Sequence, residues 1–175
     1  MATATIGKAP ESIKASDECP ECLAGNLGWL LTQAHFNLVS EVGAALEPLG
    51  VSNRGYHVLA TARTGEFTQK ELAEQIGLDK TTMVVTVDEL EEKGLAERRP
   101  SSTDRRARVI AVTRAGERTV AQGQKIIDGI QDDVLENLPA GERKVFLEAL
   151  GLLVQDRLAQ PAPDSPPLRR REPRH

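Results

Sequence analysis

The chain has 175 residues, a formal net charge of −4 and 3% aromatic residues, so one soluble domain with a core of Leu, Val, Ile and Ala is expected. No apolar run approaches the roughly 20 residues of a membrane span, and no signal-peptide core is seen, which predicts a cytoplasmic protein without a membrane partner. The sequence has no phosphate-binding glycine loop, His-Glu-x-x-His zinc motif or nucleophile elbow, so neither an enzyme nor a cofactor is predicted.

Two cysteines, Cys19 and Cys22, lie in an N-terminal segment, residues 1–22, that is polar and predicted to be flexible. Their Cys-Pro-Glu-Cys spacing is compatible with a redox switch or with half of a zinc site. A structural zinc site needs about two more ligands, and neither a second cysteine pair nor a close histidine cluster is present. Two reduced thiols at a helix start are the main interpretation. A redox- or metal-responsive role is the alternative, which titration of free thiols after peroxide treatment would test.

Two helices are predicted next. A dimerisation helix lies within residues 23–51, where apolar residues recur at helical spacing until Pro48-Leu49-Gly50 breaks the pattern. Ser52 can cap a second helix that runs to about Arg63. The apolar stripe of the first helix comprises Leu27, Leu31, His35, Leu38, Val42 and Leu46.

A tightly linked helix pair follows within residues 52–112. Its first helix begins with a capping box made by Thr68 and Glu71. The second begins after the N-cap Asp79 and ends at Gly94, which suits the left-handed position that closes a helix. The buried face of this second helix comprises Met83, Val87 and Leu90. Its opposite face and flanks comprise Lys80, Thr81, Thr82, Val84, Val85 and Asp88.

A basic hairpin comes after this pair. Short strands are predicted at residues 95–99 and 107–112, with a polar loop between them. From Arg98 to Arg118, seven arginines oppose Asp104 and Glu117, a net of +5 in an acidic chain. A helix pair with a basic hairpin is the layout of a winged helix-turn-helix, in which the second helix enters a major groove and the loop tip reaches a minor groove. The sequence therefore predicts a mainly α fold with a small β-hairpin wing that binds double-stranded DNA.

Long apolar patterns in residues 113–159 predict two further dimerisation helices, separated at Leu138-Pro139. Together with residues 23–51, they carry more apolar surface than a compact helix-turn-helix covers. A homodimer is therefore predicted, and the alternative is a monomer whose terminal helices fold back on its own module. The tail, residues 160–175, is rich in Pro and Arg and is predicted to be disordered.

A family resemblance rests on TQKELAEQIGLDKTTMVVTVDELEEKGLAERRPSSTDRRARVIAVTRAG, residues 68–116. This run resembles the core of MarR-type transcriptional regulators in its helix pair, its LEEKGL helix end and its Asp104-Arg105-Arg106 wing motif. Helix order is similar from about Leu23 to Leu158. Many relatives carry a polar or basic residue where this chain has Val84 or Val85, which favours methyl contacts with bases here.

The resemblance implies a repressor that binds an imperfect palindromic operator as a homodimer, with terminal helices interdigitating. Arg106 matches the arginine that enters the minor groove, and Asp104 matches the acid that orients it. The predicted DNA-contacting residues are Thr68, Gln69, Lys80, Thr81, Thr82, Val84, Val85, Asp88, Arg98, Arg99, Ser101, Asp104, Arg105, Arg106 and Arg108.

The resemblance also suggests a small-molecule effector bound where the dimer helices meet the DNA-binding lobe. His35, Phe36, Tyr56 and His57 occupy the corresponding helices, although His35 is equally well explained as a core histidine. A winged-helix module that binds protein rather than DNA is a further alternative. Steep salt dependence together with sequence preference would favour DNA over that alternative.

Overall fold

Six helices and one β-hairpin make up residues 23–159, the part of the chain that the computed structural model describes. The helices are α1 Leu27–Leu46, α2 Asn53–Ala62, α3 Gln69–Ile76, α4 Lys80–Glu92, α5 Arg114–Glu136 and α6 Ala140–Gln155. A 3₁₀ turn, Glu47–Leu49, follows α1, and the strands are β1 Ala96–Pro100 and β2 Arg108–Val112. This order confirms the predicted mainly α fold with a small β-hairpin.

The predicted helix caps are present. Ser52, Thr68 and Asp79 each accept a hydrogen bond from a backbone amide three residues ahead. Gly94 has a φ of 66°, the left-handed conformation expected after α4. The helix α1 begins at Leu27, because Asn26 caps it by accepting a hydrogen bond from the Trp29 amide.

The strands begin one residue later than predicted. The Leu95 amide donates to the Leu90 carbonyl at 2.8 Å, so Leu95 still closes the end of α4. The two strands pair antiparallel from Ala96 opposite Val112 to Pro100 opposite Arg108. The chain entering α3 joins this sheet, since the Ile110 amide donates to the Phe67 carbonyl at 2.9 Å. The hairpin is thereby attached to the helix pair.

The core joins α4 to the helices before it. Met83 and Val87 are fully buried and Leu90 is nearly so, as predicted. They share one apolar cluster with residues of α2 and α3, among them Val58, Leu59 and Leu72. Ala73, Ile76 and Leu78 pack against this cluster. The packing predicted for the helix pair is therefore confirmed.

The start of α5 lies very close to the end of α4. The Thr113 hydroxyl donates to the Gly94 carbonyl at 2.7 Å and accepts from the Gly116 amide at 3.1 Å. A Cβ atom at position 116 would lie 2.1 Å from the Leu95 carbonyl oxygen. Glycine at position 116 is thus required by the close approach of two backbones.

The chain divides into two compact units, Met1–Ile130 and Gln131–His175. In the second unit, Arg143 donates to the carbonyls of Glu136 and Leu138 at 3.3 and 3.2 Å, which satisfies the end of α5. The helix α6 has no buried residue. Within residues 23–159, no helix has both the length and the apolar character needed to cross a membrane.

Candidate nucleic-acid interface

The outer face of α4 is short, polar and partly apolar. Lys80 and Thr81 are exposed near its N-terminus, and Val84 and Val85 are 36% and 51% exposed. These four residues lie where their helical spacing placed them, opposite or beside the buried stripe. Threonine hydroxyls can contact base edges, and valine methyls can pack against thymine methyls. The face is therefore suited to reading a major groove.

Thr82 is the exception, because its side chain is buried with 6% exposure. Its hydroxyl donates to Asp79 Oδ2 at 2.5 Å, and its amide donates to Asp79 Oδ1 at 2.9 Å. The cap thus draws Thr82 inward, against the protein. Thr82 was predicted to contact DNA, and this contact stays a prediction for a residue whose hydroxyl is held by Asp79.

The N-terminus of α3 is held by its own side chains. The hydroxyl and the amide of Thr68 donate to Glu71 Oε2 at 2.8 and 2.7 Å. The hydrogen bond from the Thr68 amide, followed by the hydrogen bond from its hydroxyl, lowers the pKa of the Glu71 carboxyl. A DNA contact by the Thr68 hydroxyl would therefore compete with the capping box.

Arg98 connects β1 to both helices of the pair. Its guanidinium is ion-paired with Glu91 and lies 2.7 Å from Asp88 Oδ1. It also donates to the Gln69 side-chain oxygen at 3.2 Å. Burial alone would lower the pKa of Arg98, but the hydrogen bond to Asp88 and the charge of Glu91 raise it overall. Arg98 was predicted to contact DNA, and the structure shows its guanidinium held by three internal partners.

The start of the wing loop is anchored by Glu66, a residue that the sequence analysis did not predict as part of the site. Ser101 is buried, with 8% exposure, and its hydroxyl donates to Glu66 Oε2 at 2.8 Å. Ser101 was predicted to contact DNA, and the structure shows its hydroxyl bonded to Glu66. Glu66 lies in the segment between α2 and α3, and no local pattern marks it, because its partner is 35 residues away.

The cations at the tip of the wing have no ion-pair partner among the described residues. Arg105, Arg106 and Arg108 are exposed and form no ion pair within residues 23–159. Asp104 Oδ1 accepts a hydrogen bond from the Arg106 amide at 2.9 Å, so it shapes the backbone rather than holding the guanidinium. Arg99 is exposed, and its guanidinium lies 3.8 Å from Glu66 Oε1. The tip therefore presents three guanidinium groups to solvent.

The four residues considered for an effector site have different surroundings. His35 and Phe36 are exposed on α1, which contradicts a core position for His35 within this chain. Tyr56 is buried, its hydroxyl donates to Gln124 Oε1 at 2.7 Å, and burial raises its pKa. The His57 ring meets the Tyr56 ring edge-on, with centroids 5.9 Å apart. Three surface cavities of the described chain are lined by other residues.

The predicted redox pair, Cys19 and Cys22, lies outside the described residues, as do the predicted flexible N-terminal segment and the tail. In the described range, no group of three or more His, Cys, Asp or Glu side chains is arranged to hold a metal ion.

Comparison with known proteins decides the family. A sequence model of the MarR family matches residues 56–107, from α2 into the wing. The chain is similar to CouR of Rhodococcus jostii RHA1, a structure bound to p-coumaroyl-CoA, with 30% identity and a TM-score of 0.68. The alignment covers 78% of this chain and 95% of CouR. The chain belongs to the MarR family.

Other MarR-family structures agree in fold. The transcriptional repressor CouR bound to a 23-mer DNA duplex has 25% identity to this chain and a TM-score of 0.69, covering 75% of this chain and 94% of its own. Escherichia coli MarR in its apo form shares the fold at 23% identity and a TM-score of 0.65, covering 73% of this chain and 96% of its own. The predicted family and winged-helix fold are therefore confirmed.

Replacing Arg98 by alanine should destabilise this MarR-family protein. Asp88 and Glu91 would lose their cationic partner, and we expect the free energy of unfolding to fall by roughly 1–3 kcal/mol. Urea denaturation measures this change. Arg108→Ala is the control, since it removes an unpaired arginine of the same hairpin and should cost less than about 0.5 kcal/mol. Equal losses in the two variants would contradict the anchoring role of Arg98.

Proposed function

We propose that the protein is a homodimeric transcriptional repressor that binds an imperfect palindromic operator in double-stranded DNA. One observation carries this proposal. The helix α4 exposes its outer face and contacts β1 of a hairpin whose Arg105, Arg106 and Arg108 have no ion-pair partner in the described chain. Unpaired guanidinium groups are attracted to phosphates and to the negative potential of narrow minor grooves. The repressor CouR, bound to a DNA duplex, supports the proposal.

Each subunit would read one half-site. Thr81, Val84 and Val85 would contact base edges and thymine methyls in the major groove, while Lys80 would contact a phosphate. Arg106 would enter the adjacent minor groove, with Arg105 and Arg108 beside it on the backbone. Two such helices one helical turn apart, about 10 base pairs, would require an operator with approximate two-fold symmetry. A bound repressor would block access of the polymerase.

The dimer would bury apolar surface that the described chain leaves exposed. On α1, Leu27, Phe36 and Leu38 are 54%, 70% and 41% exposed. On α6, the exposed large apolar residues are Val145, Phe146, Leu147, Leu152, Leu153 and Val154. Burying one such side chain fully contributes about 1.5–3 kcal/mol. Apolar faces of this extent on two separate helices favour a second copy of the chain as their cover.

A small-molecule effector is proposed to relieve repression. The CouR structure with p-coumaroyl-CoA supports a ligand of that kind, an aromatic acyl thioester. Phe36 and His57 are exposed on α1 and α2, and Tyr56 is the buried neighbour, so these residues are the candidates for contact with the aromatic group. Such a ligand would bind better to one relative placement of the two DNA-binding lobes of the dimer. DNA would then change the affinity for the ligand by the same coupling free energy as the ligand changes the affinity for DNA.

The wing arginine provides the direct test of DNA reading. After an operator is selected from a random duplex pool, Arg106→Ala should lose about 1–3 kcal/mol of binding free energy, roughly five- to 150-fold in affinity. Fluorescence anisotropy at several salt concentrations measures this loss and a shallower salt slope. Lys125→Ala removes an exposed cation of α5 as the charge control. Parent-like operator binding by Arg106→Ala would rule out the minor-groove role.

Dimerisation has its own test. Sedimentation equilibrium of the parent chain should give a mass near twice 19.0 kDa. A charge placed on the exposed apolar side of α6, in Phe146→Glu, should shift the mass toward the monomer because the carboxylate would be desolvated at the interface. Glu148→Gln, on the same helix, should remain dimeric. A monomeric parent at micromolar concentration would refute the homodimer.

The effector proposal predicts release of DNA. Adding p-coumaroyl-CoA to the protein–operator complex should lower operator affinity at least about fivefold, the usual lower end of allosteric coupling. Free coenzyme A serves as the ligand control, and His57→Ala, at an exposed effector candidate on α2 outside the proposed dimer surface, should weaken the response without changing DNA binding by the unliganded protein. Calorimetry that detects neither binding of the thioester nor any change in operator affinity would remove this class of effector.

A further inference from the structure

Glu66 is the most heavily used acid near the wing. Its Oε2 atom accepts hydrogen bonds from Ser101 Oγ, Ser102 N and Ser102 Oγ at 2.8, 2.9 and 3.0 Å. Its Oε1 atom lies 3.8 Å from the Arg99 guanidinium. Both carboxylate oxygens are thus directed at the hairpin, although Glu66 itself lies in the segment that connects α2 to α3.

The contacts of Glu66 continue into the loop. A serine hydroxyl has a single hydrogen, so the Ser101 hydroxyl that donates to Glu66 acts as the acceptor for the Thr103 amide at 3.2 Å. The Ser101 amide donates to the Ala107 carbonyl at 3.0 Å, and the Ala107 amide donates to the Asp104 carbonyl at 3.0 Å. A continuous set of bonds therefore connects Glu66 to the turn that carries Arg105 and Arg106.

The negative charge of Glu66 is stabilised by the same contacts. The hydrogen bond from the Ser102 amide, followed by the one from the Ser101 hydroxyl, lowers the pKa of the Glu66 carboxyl, so this group is an anion at neutral pH. It faces a hairpin that carries five arginines between Arg98 and Arg108, with Asp104 as the hairpin's own acid near the tip. Since Arg99 lies near Glu66, this arginine is less available to phosphates than the three at the tip.

We propose that Glu66 is a positioning residue for the wing and that it determines specificity for the operator. The carboxylate fixes residues 101–107 in the conformation that presents Arg105 and Arg106, which reduces the ordering cost of groove entry. It also withdraws Arg99 from sequence-independent phosphate contact. This inference rests on the proposed function. The alternative is an ordinary surface contact with no effect on DNA reading.

The two roles predict opposite changes in two affinities. Glu66→Ala should bind the selected operator about tenfold more weakly, because hydrogen bonds to a charged group are lost. Its affinity for a random duplex should stay equal or rise, because Arg99 is released. Glu66→Gln should fall between parent and Glu66→Ala, since its amide oxygen still accepts hydrogen bonds. Glu97→Ala, which removes an exposed acid of the same hairpin, should leave the ratio of the two affinities unchanged.

A double-mutant cycle separates positioning from general damage. If Glu66 acts through the wing tip, Glu66→Ala should cost less than about twofold in operator affinity when Arg106 is already alanine. Combined with Val85→Ala in α4, it should retain its full effect. Additive losses with Arg106→Ala, or an unchanged ratio of operator to random-duplex affinity, would overturn the proposal.

Amide hydrogen exchange tests the anchor without DNA. Exchange at residues 101–107 should be faster in Glu66→Ala than in the parent and in Glu97→Ala. Unchanged exchange in this loop would overturn the proposal even where DNA affinity falls. Failure of the proposed function is distinguished by the parent itself, which would then show no preference for any duplex while the exchange comparison still decides whether Glu66 holds the loop.

Discussion

The burial of one side of α4 determines which residues the protein can present to DNA. Met83 and Val87 have no exposed surface, and they share a core with Leu59 of α2 and Leu72 of α3. A slip of one residue would rotate α4 by about 100° and expose this stripe, at a cost of roughly 1.5–3 kcal/mol per large side chain. Packing inside the core therefore fixes Thr81, Val84 and Val85 on the outside.

A second constraint sorts the basic side chains of the hairpin. Asp88 and Glu91 of α4 hold Arg98, Glu66 lies near Arg99, and the arginines of the tip have no partner in the described chain. The acids thus convert some arginines into structural anchors. The remaining cations create a local positive field on a chain of net charge −4. Such a distribution limits non-specific attraction to DNA while keeping the tip attractive to phosphates.

Local sequence was enough to predict the caps, the inner face of α4 and the hairpin, because these features depend on residues within a few positions of one another. It did not predict the internal contacts of side chains whose partners are distant. Arg98 meets Gln69 across 29 residues, and Ser101 meets Glu66 across 35. Thr82 is a local case, since helical spacing placed it on a flank while its hydroxyl bonds to the cap residue Asp79. The family came from the motifs, which position Asp104-Arg105-Arg106 correctly at the wing tip.

The outer face of α4 offers few groups that discriminate between bases, so other parts of the protein must contribute to operator specificity. Apart from Lys80, its outward N-terminal half offers a threonine and two valines, which give fewer hydrogen bonds than the bidentate pairs that discriminate bases by about 1–3 kcal/mol each. Methyl contacts alone discriminate weakly between operators. In the proposed homodimer, a two-fold pair of half-sites would double each small preference, and a wing held in one conformation would add recognition of groove width. Rigid placement of the wing is therefore more valuable in this protein than in a relative whose reading helix carries arginine or asparagine.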